Sequence, residues 1–138
     1  MISDSEVVEI FKELGMKVKE EKQQGLHFHV NISPPTANSA IVSIIRPTAF
    51  SKYYIVTMAI EVDPPKLNKK VLREIGVELA RLNVEFYVMP PEKPTAIQIA
   101  KLLYQEDLSK NELINTVTLV KNAGFIVFNI LSGENMND

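Results

Sequence analysis

The stretch from Leu108 to Leu131, LSKNELINTVTLVKNAGFIVFNIL, constrains the fold of this chain more than any other. Ser109 and Glu112 have the S-x-x-E spacing of a capping box, which starts a helix at Lys110. Leu113, Val117, Val120, Gly124, Val127 and Leu131 recur at helical spacing and make one apolar stripe. Leu119, Ala123, Ile126 and Ile130 lie on a different side of the same helix. Only a narrow strip stays polar, mainly Asn111, Asn115, Thr118, Asn122 and Asn129. A helix apolar nearly all round must be covered on two sides. The chain's own sheet is the first cover. A second copy is the expected second cover, giving a homodimer with Leu119, Ile126 and Ile130 in self-association. The competing arrangement has the two earlier helices burying both sides within one chain.

At 138 residues the chain is expected to be a single domain, 1–138. A domain of this size buries roughly two thirds of its unfolded surface, so it folds without disulfide or metal staples. It has no cysteine, which removes disulfide frameworks, thiolate zinc sites and cysteine nucleophiles. The net charge of -2 provides no global field to attract nucleic acid or anionic membrane. The first residues, MISDSEVVEIF, are acidic and amphipathic and lack the basic start and apolar block of a secretory leader. The longest apolar-rich run, 119–131, carries Lys121, Asn122 and Asn129 and is too short to span a bilayer. These features lead us to expect a soluble, cytoplasmic protein.

Ser3 and Glu6 form an earlier capping box, and Val7, Ile10, Phe11 and Leu14 follow at i, i+3, i+4 and i+7. A helix is expected from about Asp4 to Leu14, stopped by Gly15. Met16 to Lys22 reads as a charged edge strand, followed by a turn at Gln24-Gly25. In the next strand Leu26, Phe28, Val30 and Ile32 alternate with His27, His29 and Asn31. Pro34-Pro35 opens a loop over Ser33 to Ser39, and Ala40 to Ile45 is a short strand ended by Arg46-Pro47. Tyr53 to Val62 is the longest strand. Its second face, Tyr53, Ile55, Thr57 and Ala59, is only mildly polar, which argues for a central position.

Asp63-Pro64-Pro65 breaks that strand and opens a helix expected over about Lys66 to Leu82. Val84 to Met89 is a further strand. Thr95 to Tyr104 has both strand alternation and good helix formers. Its position across a short proline turn favours a hairpin strand. Ser132 to Asp138 is a polar tail expected to fray. The resulting order, α-β-β-β-β-α-β-β-α, describes an α+β fold with a mainly antiparallel sheet of five to six strands and three helices.

This order resembles the type III secretion chaperone-like fold. The chain is also similar to a small family of uncharacterised archaeal proteins. The stretches that carry this likeness are VEFYVMP, IQIAKLLYQEDLSKNEL and NTVTLVKNAGFIVFNIL. The resemblance implies a homodimer, with the second helix favoured as its seam, and binding of an extended client peptide. It transfers no catalytic residue, and the chain carries an extra early strand relative to that fold.

Among chemistry-bearing residues, His27 and His29 are at i and i+2 and could share a metal, but a third ligand is not set by any nearby spacing. Lys66, Lys69, Lys70 and Arg73 form a basic cluster, which Glu74 and Glu78 interrupt, so a solvated helix face is the favoured reading over nucleic acid. Tyr53, Tyr54 and Tyr87 lack the glycine-aromatic surroundings of a base-stacking module. No phosphate-binding loop, serine elbow or cofactor motif is present. A non-enzymatic dimeric module holding a peptide or partner protein is the leading expectation. A small enzyme or metal protein built around His27 and His29 is the alternative.

Overall fold

A computed structural model describes residues 2–36 and 40–136. Helix α1 (Asp4–Glu13) leads into strands β1 (Lys17–Glu20), β2 (Phe28–Ser33), β3 (Val42–Arg46) and β4 (Tyr53–Glu61). Helix α2 (Lys69–Arg81), strands β5 (Glu85–Met89) and β6 (Ala96–Tyr104), and helix α3 (Lys110–Met136) complete the chain. The strands form one six-stranded sheet in the order β1-β2-β3-β4-β6-β5, antiparallel at every pairing. The element order and the α+β class agree with the sequence reading.

The helices share one face of this sheet. Val30, Ile32, Val42, Ile44, Tyr54, Val56, Ile97 and Ile99 alternate onto that face. They join Val7 and Phe11 of α1, Ile75 and Leu79 of α2, and Leu113, Val120 and Val127 of α3 in one apolar core. α1 lies over β1 and β2, α3 over β3, β4 and β6, and α2 beside α3 over β5. Gly124 marks the close approach of α3 to β4: a Cβ there would stand 2.5 Å from Met58 Sδ.

Local chemistry explains the element ends. At α1 the capping box closes both ways, with Glu6 N–H donating to Ser3 Oγ and Ser3 N–H to Glu6 Oε1. Gly15, at φ +80, supplies the left-handed residue that lets the chain leave this helix. α2 begins three residues later than the sequence suggests. Pro64–Lys66 forms a 3₁₀ turn, and the helix restarts only where Asn68 Oδ1 accepts the Val71 N–H at 2.9 Å. β6 is a strand, as the hairpin argument expects, and it pairs with β4 along its full length.

The C-terminal reading needs correction. α3 does not end near Leu131 but continues to Met136, and residues 137–138 lie outside the described part. Extending an anchored helix adds one hydrogen bond per residue without a new nucleation cost, so a polar segment with no proline can follow. The helix is also longer than the apolar run that was expected to fall short of a bilayer. Lys110–Gly133 is long and apolar enough, by length and composition, to cross a membrane. Its buried stripe is occupied here by the sheet.

Candidate functional site: the uncovered sheet face

Alternation places the other half of the strand residues on the face opposite the helices. One cross-strand row runs Lys19, Asn31, Ser43, Thr57, Ala100 and Glu85, from the β1 edge to the β5 edge. The adjacent row runs His29, Ile45, Ile55 and Leu102, and Tyr53 pairs with Tyr104 beyond it. Tyr87 and Met89 belong to the same face on β5, opposite Gln98 and Ala96. An antiparallel sheet with one wet face ordinarily alternates apolar with polar. This face does not. Leu102 is 48% exposed, Tyr104 69%, Tyr87 50% and Met89 44%. Its residues on β2, β3 and β6 include no Asp, Glu, Lys or Arg. Charge is confined to the rim, at Lys17 and Lys19 on β1 and Glu21 just beyond it, Glu61 at the end of β4, and Glu85 on β5.

The polar groups near the centre are paired within the chain. Ser43 Oγ donates to Asn31 Oδ1 at 2.6 Å, and Asn31 Nδ2 donates to Glu21 Oε1 at 3.3 Å. Thr57 Oγ1 donates to the Ile99 carbonyl and accepts from Gln98 Nε2, at 2.7 and 2.6 Å. A hydroxyl or amide that already has protein partners loses little when water is removed, whereas an unpaired one is expensive to cover. At one end of the sheet, Phe50, 91% exposed, borders a shallow groove of about 470 Å³ with Lys52, Gln105 and Glu106.

On the helix side, a polar cluster ties α1 to the sheet. The Asp4 carboxylate receives Arg46 Nε at 2.9 Å and Arg46 Nη2 at 2.6 Å, and the Tyr54 hydroxyl donates to it at 2.7 Å. Arg46 Nη1 donates to the carbonyls of Thr48 and Ala49. Burial pushes the Asp4 carboxyl upward, but the hydrogen bonds from Arg46 and Tyr54 and the guanidinium charge outweigh it and hold it below its ordinary range. Burial and the bond to Asp4 push the Tyr54 hydroxyl well above its usual range. Every donor and acceptor in this cluster serves the fold, so we read it as a clasp.

The residues of this chain from 3 to 131 match the model of DUF2299, a family of uncharacterised conserved proteins. The chain belongs to that family. A crystal structure of an uncharacterised protein from Methanothermobacter thermautotrophicus is similar to this DUF2299 chain, with a TM-score of 0.81 and 19% identity over 96% of this chain and 99% of that one. YbjN, a candidate transcription regulator from E. coli, is similar with a TM-score of 0.61 and 12% identity over 99% and 94% of the two chains. These likenesses establish a shared fold. No curated protein matches the sequence.

The fold separates several residues that the sequence grouped. β2 starts at Phe28, so His27 lies outside the strand alternation. Its Nε2 stands 3.6 Å from Asp4 Oδ2, while His29 contacts Gln23 and Asn31. The two rings therefore have different partners, and no group of three or more His, Cys, Asp or Glu suited to a metal occurs among the described residues. Tyr54 is buried, edge-on to Phe28 with centroids 6.0 Å apart, and so faces away from Tyr53 and Tyr87. Lys66 falls in the 3₁₀ turn, apart from Lys69, Lys70 and Arg73 on α2.

In this DUF2299 chain Leu119, Ile126 and Ile130 are half-buried, and Leu119 and Ile130 pack against the core. Among the described residues of α3 the barest apolar ones are instead Phe125 and Phe128, 49% and 58% exposed. Sequence reasoning passed over these two, and over Leu102, Tyr104 and Met89. The available signal was the only mildly polar second face of Tyr53 to Val62, which marks a central strand, as β4 is, but which was not also taken as the sign of an uncovered face.

Proposed function

We propose that this chain is a dimeric, non-enzymatic binding module that holds a peptide or partner protein. The observation that carries the proposal is the uncovered sheet face, which is free of charge at its centre, where apolar side chains lie beside polar groups already bonded within the chain, and charged at its rim. That distribution is the anatomy of a protein interface, in which charged residues are depleted from the core of the patch. Exposed apolar patches of this extent on a folded chain are associated with interaction sites. A second apolar strip, Phe125 and Phe128 on α3, lies on the helix side of the molecule. Two separated apolar surfaces allow one to pair copies of the chain while the other holds a partner. The α3 strip adjoins Leu119, Ile126 and Ile130, so self-association there is the competing use. We place the module in the cytoplasm, without cofactor, membrane or nucleic-acid partner.

A panel of unstructured peptides rich in apolar residues, titrated by fluorescence anisotropy, tests this reading. At least one is expected to bind in the micromolar range and to lose binding on Phe125→Ser with Phe128→Ser, or on Leu102→Ser. Oligonucleotides serve as controls. Binding of oligonucleotides, lost on replacement of Lys69, Lys70 and Arg73, with no peptide bound, would contradict it.

A further inference from the structure

We infer that the uncovered sheet face pairs with the same face of a second copy, about a two-fold axis running along the strands between β3 and β4. The inference rests on the proposal that the chain is a dimer, and it assigns the surface. The decisive feature is the row that begins at Lys19 on one edge and ends at Glu85 on the other, with Asn31, Ser43, Thr57 and Ala100 between. Rotation about such an axis exchanges the two edges and keeps position along the strands. Lys19 of one copy then meets Glu85 of the other, and Glu85 of the first meets Lys19 of the second. An isologous contact must be complementary to itself, and a row with opposite charges at its two ends meets that condition. The same rotation lays Ile45 of one copy against Ile55 of the other, twice, at the centre of the contact.

Size and polarity agree with this arrangement. Strands of four to nine residues at about 3.3 Å per residue, spaced about 4.8 Å apart, make a plate of roughly 500–700 Å². A standard stable interface covers about 800 Å² on each partner, so the whole face is the scale required. Aligned packing of two such sheets, about 10 Å apart, is a standard way to bury apolar strand faces. The central polar groups present no obstacle, since Asn31, Ser43, Thr57 and Gln98 are already bonded within the chain. Lys19 contacts Glu21 at 3.4 Å but its side chain is 78% exposed, and such surface pairs are weak enough to be exchanged.

Charge reversal tests the register without disturbing the core, because Lys19 and Glu85 are both exposed. Dimer dissociation constants would be measured by sedimentation equilibrium for the wild type, Lys19→Glu, Glu85→Lys, the double reversal and Leu102→Lys. Each single reversal is expected to weaken the dimer about tenfold, and the double reversal to restore it to within about threefold of the wild type. Leu102→Lys is expected to weaken it about a hundredfold with thermal stability of the monomer unchanged. A wild-type dimer untouched by these changes but dissociated by Phe128→Lys would overturn the sheet-face assignment and leave the dimeric reading standing. A wild type that stays monomeric at millimolar concentration would overturn both.

Discussion

Val120→Asp is expected to leave no folded protein, while Phe125→Asp, farther round the same helix, is expected to fold with nearly wild-type stability. Val120 is fully buried between α3 and the sheet. Its replacement removes an apolar side chain worth about 1.5–3 kcal/mol when buried. It also places a carboxylate within the apolar core, and burying an unpaired charge costs several kcal/mol more. A domain of this kind is stable by only about 5–15 kcal/mol, so the two effects together consume most or all of it. Phe125 is half exposed, and a surface substitution away from a cap or buried bond typically changes stability by about 0.5 kcal/mol. Far-ultraviolet circular dichroism through a urea titration separates the outcomes. Loss of folding in both variants would mean that the outer face of α3 is covered in the working state, and would favour the seam expected through Leu119, Ile126 and Ile130.

Asp4→Asn should give the second largest effect, about 2 kcal/mol of destabilisation, or a fall in Tm of roughly 6–10 °C. The amide can still accept from Tyr54, but its NH₂ confronts the Arg46 guanidinium, whose side chain is only 12% exposed. The loss should depend on pH in a definite direction. Asp4 is held below its ordinary value in the folded chain. Its contribution is therefore complete above the unfolded carboxylate value, about 3.9, and is lost as pH falls through the lower folded value. The difference in Tm between wild type and Asp4→Asn should be full at neutral pH and should close progressively from about pH 4 downward. A difference that persists undiminished in acid would mean that the clasp does not depend on the ionised carboxylate.

Much of the architecture was legible because local signals were consistent with one another. Capping boxes at Ser3 and Ser109, alternation through Phe28 to Ile32, and the turn residue Gly15 act over a few residues and survive into the fold. The errors arose where tertiary or backbone constraints took over. Tandem prolines at 64 and 65 favoured a 3₁₀ turn over the first helical turn, and the helix waited for Asn68. Ser132 and Gly133 carry no helix-stopping geometry, so α3 ran on.

The candidate surface was less legible than the elements. Alternation identifies two faces of each strand but cannot say which face the helices take, nor that all three take the same one. Ile55 and Leu102 look like ordinary members of a central strand until the opposite face is found bare. The clasp was equally hidden, since Asp4, Arg46 and Tyr54 are separated by 42 and 50 residues from the first to the other two. Phe125 and Phe128 escaped notice because a helix apolar on several sides offers no phase by which to single them out.

The central claim is that the bare face of the sheet is an interface and not a solvated surface. Its most direct test is methyl NMR of the unmodified protein with a soluble paramagnetic agent, recorded from low micromolar to high micromolar concentration. The methyls of Ile45, Ile55 and Leu102 are expected to become protected as concentration rises, while methyls on the outer side of α2, such as those of Val77, remain bleached throughout. Methyls of Ile45, Ile55 and Leu102 that stay equally accessible at every concentration, in a sample shown by scattering to be dimeric, would contradict it.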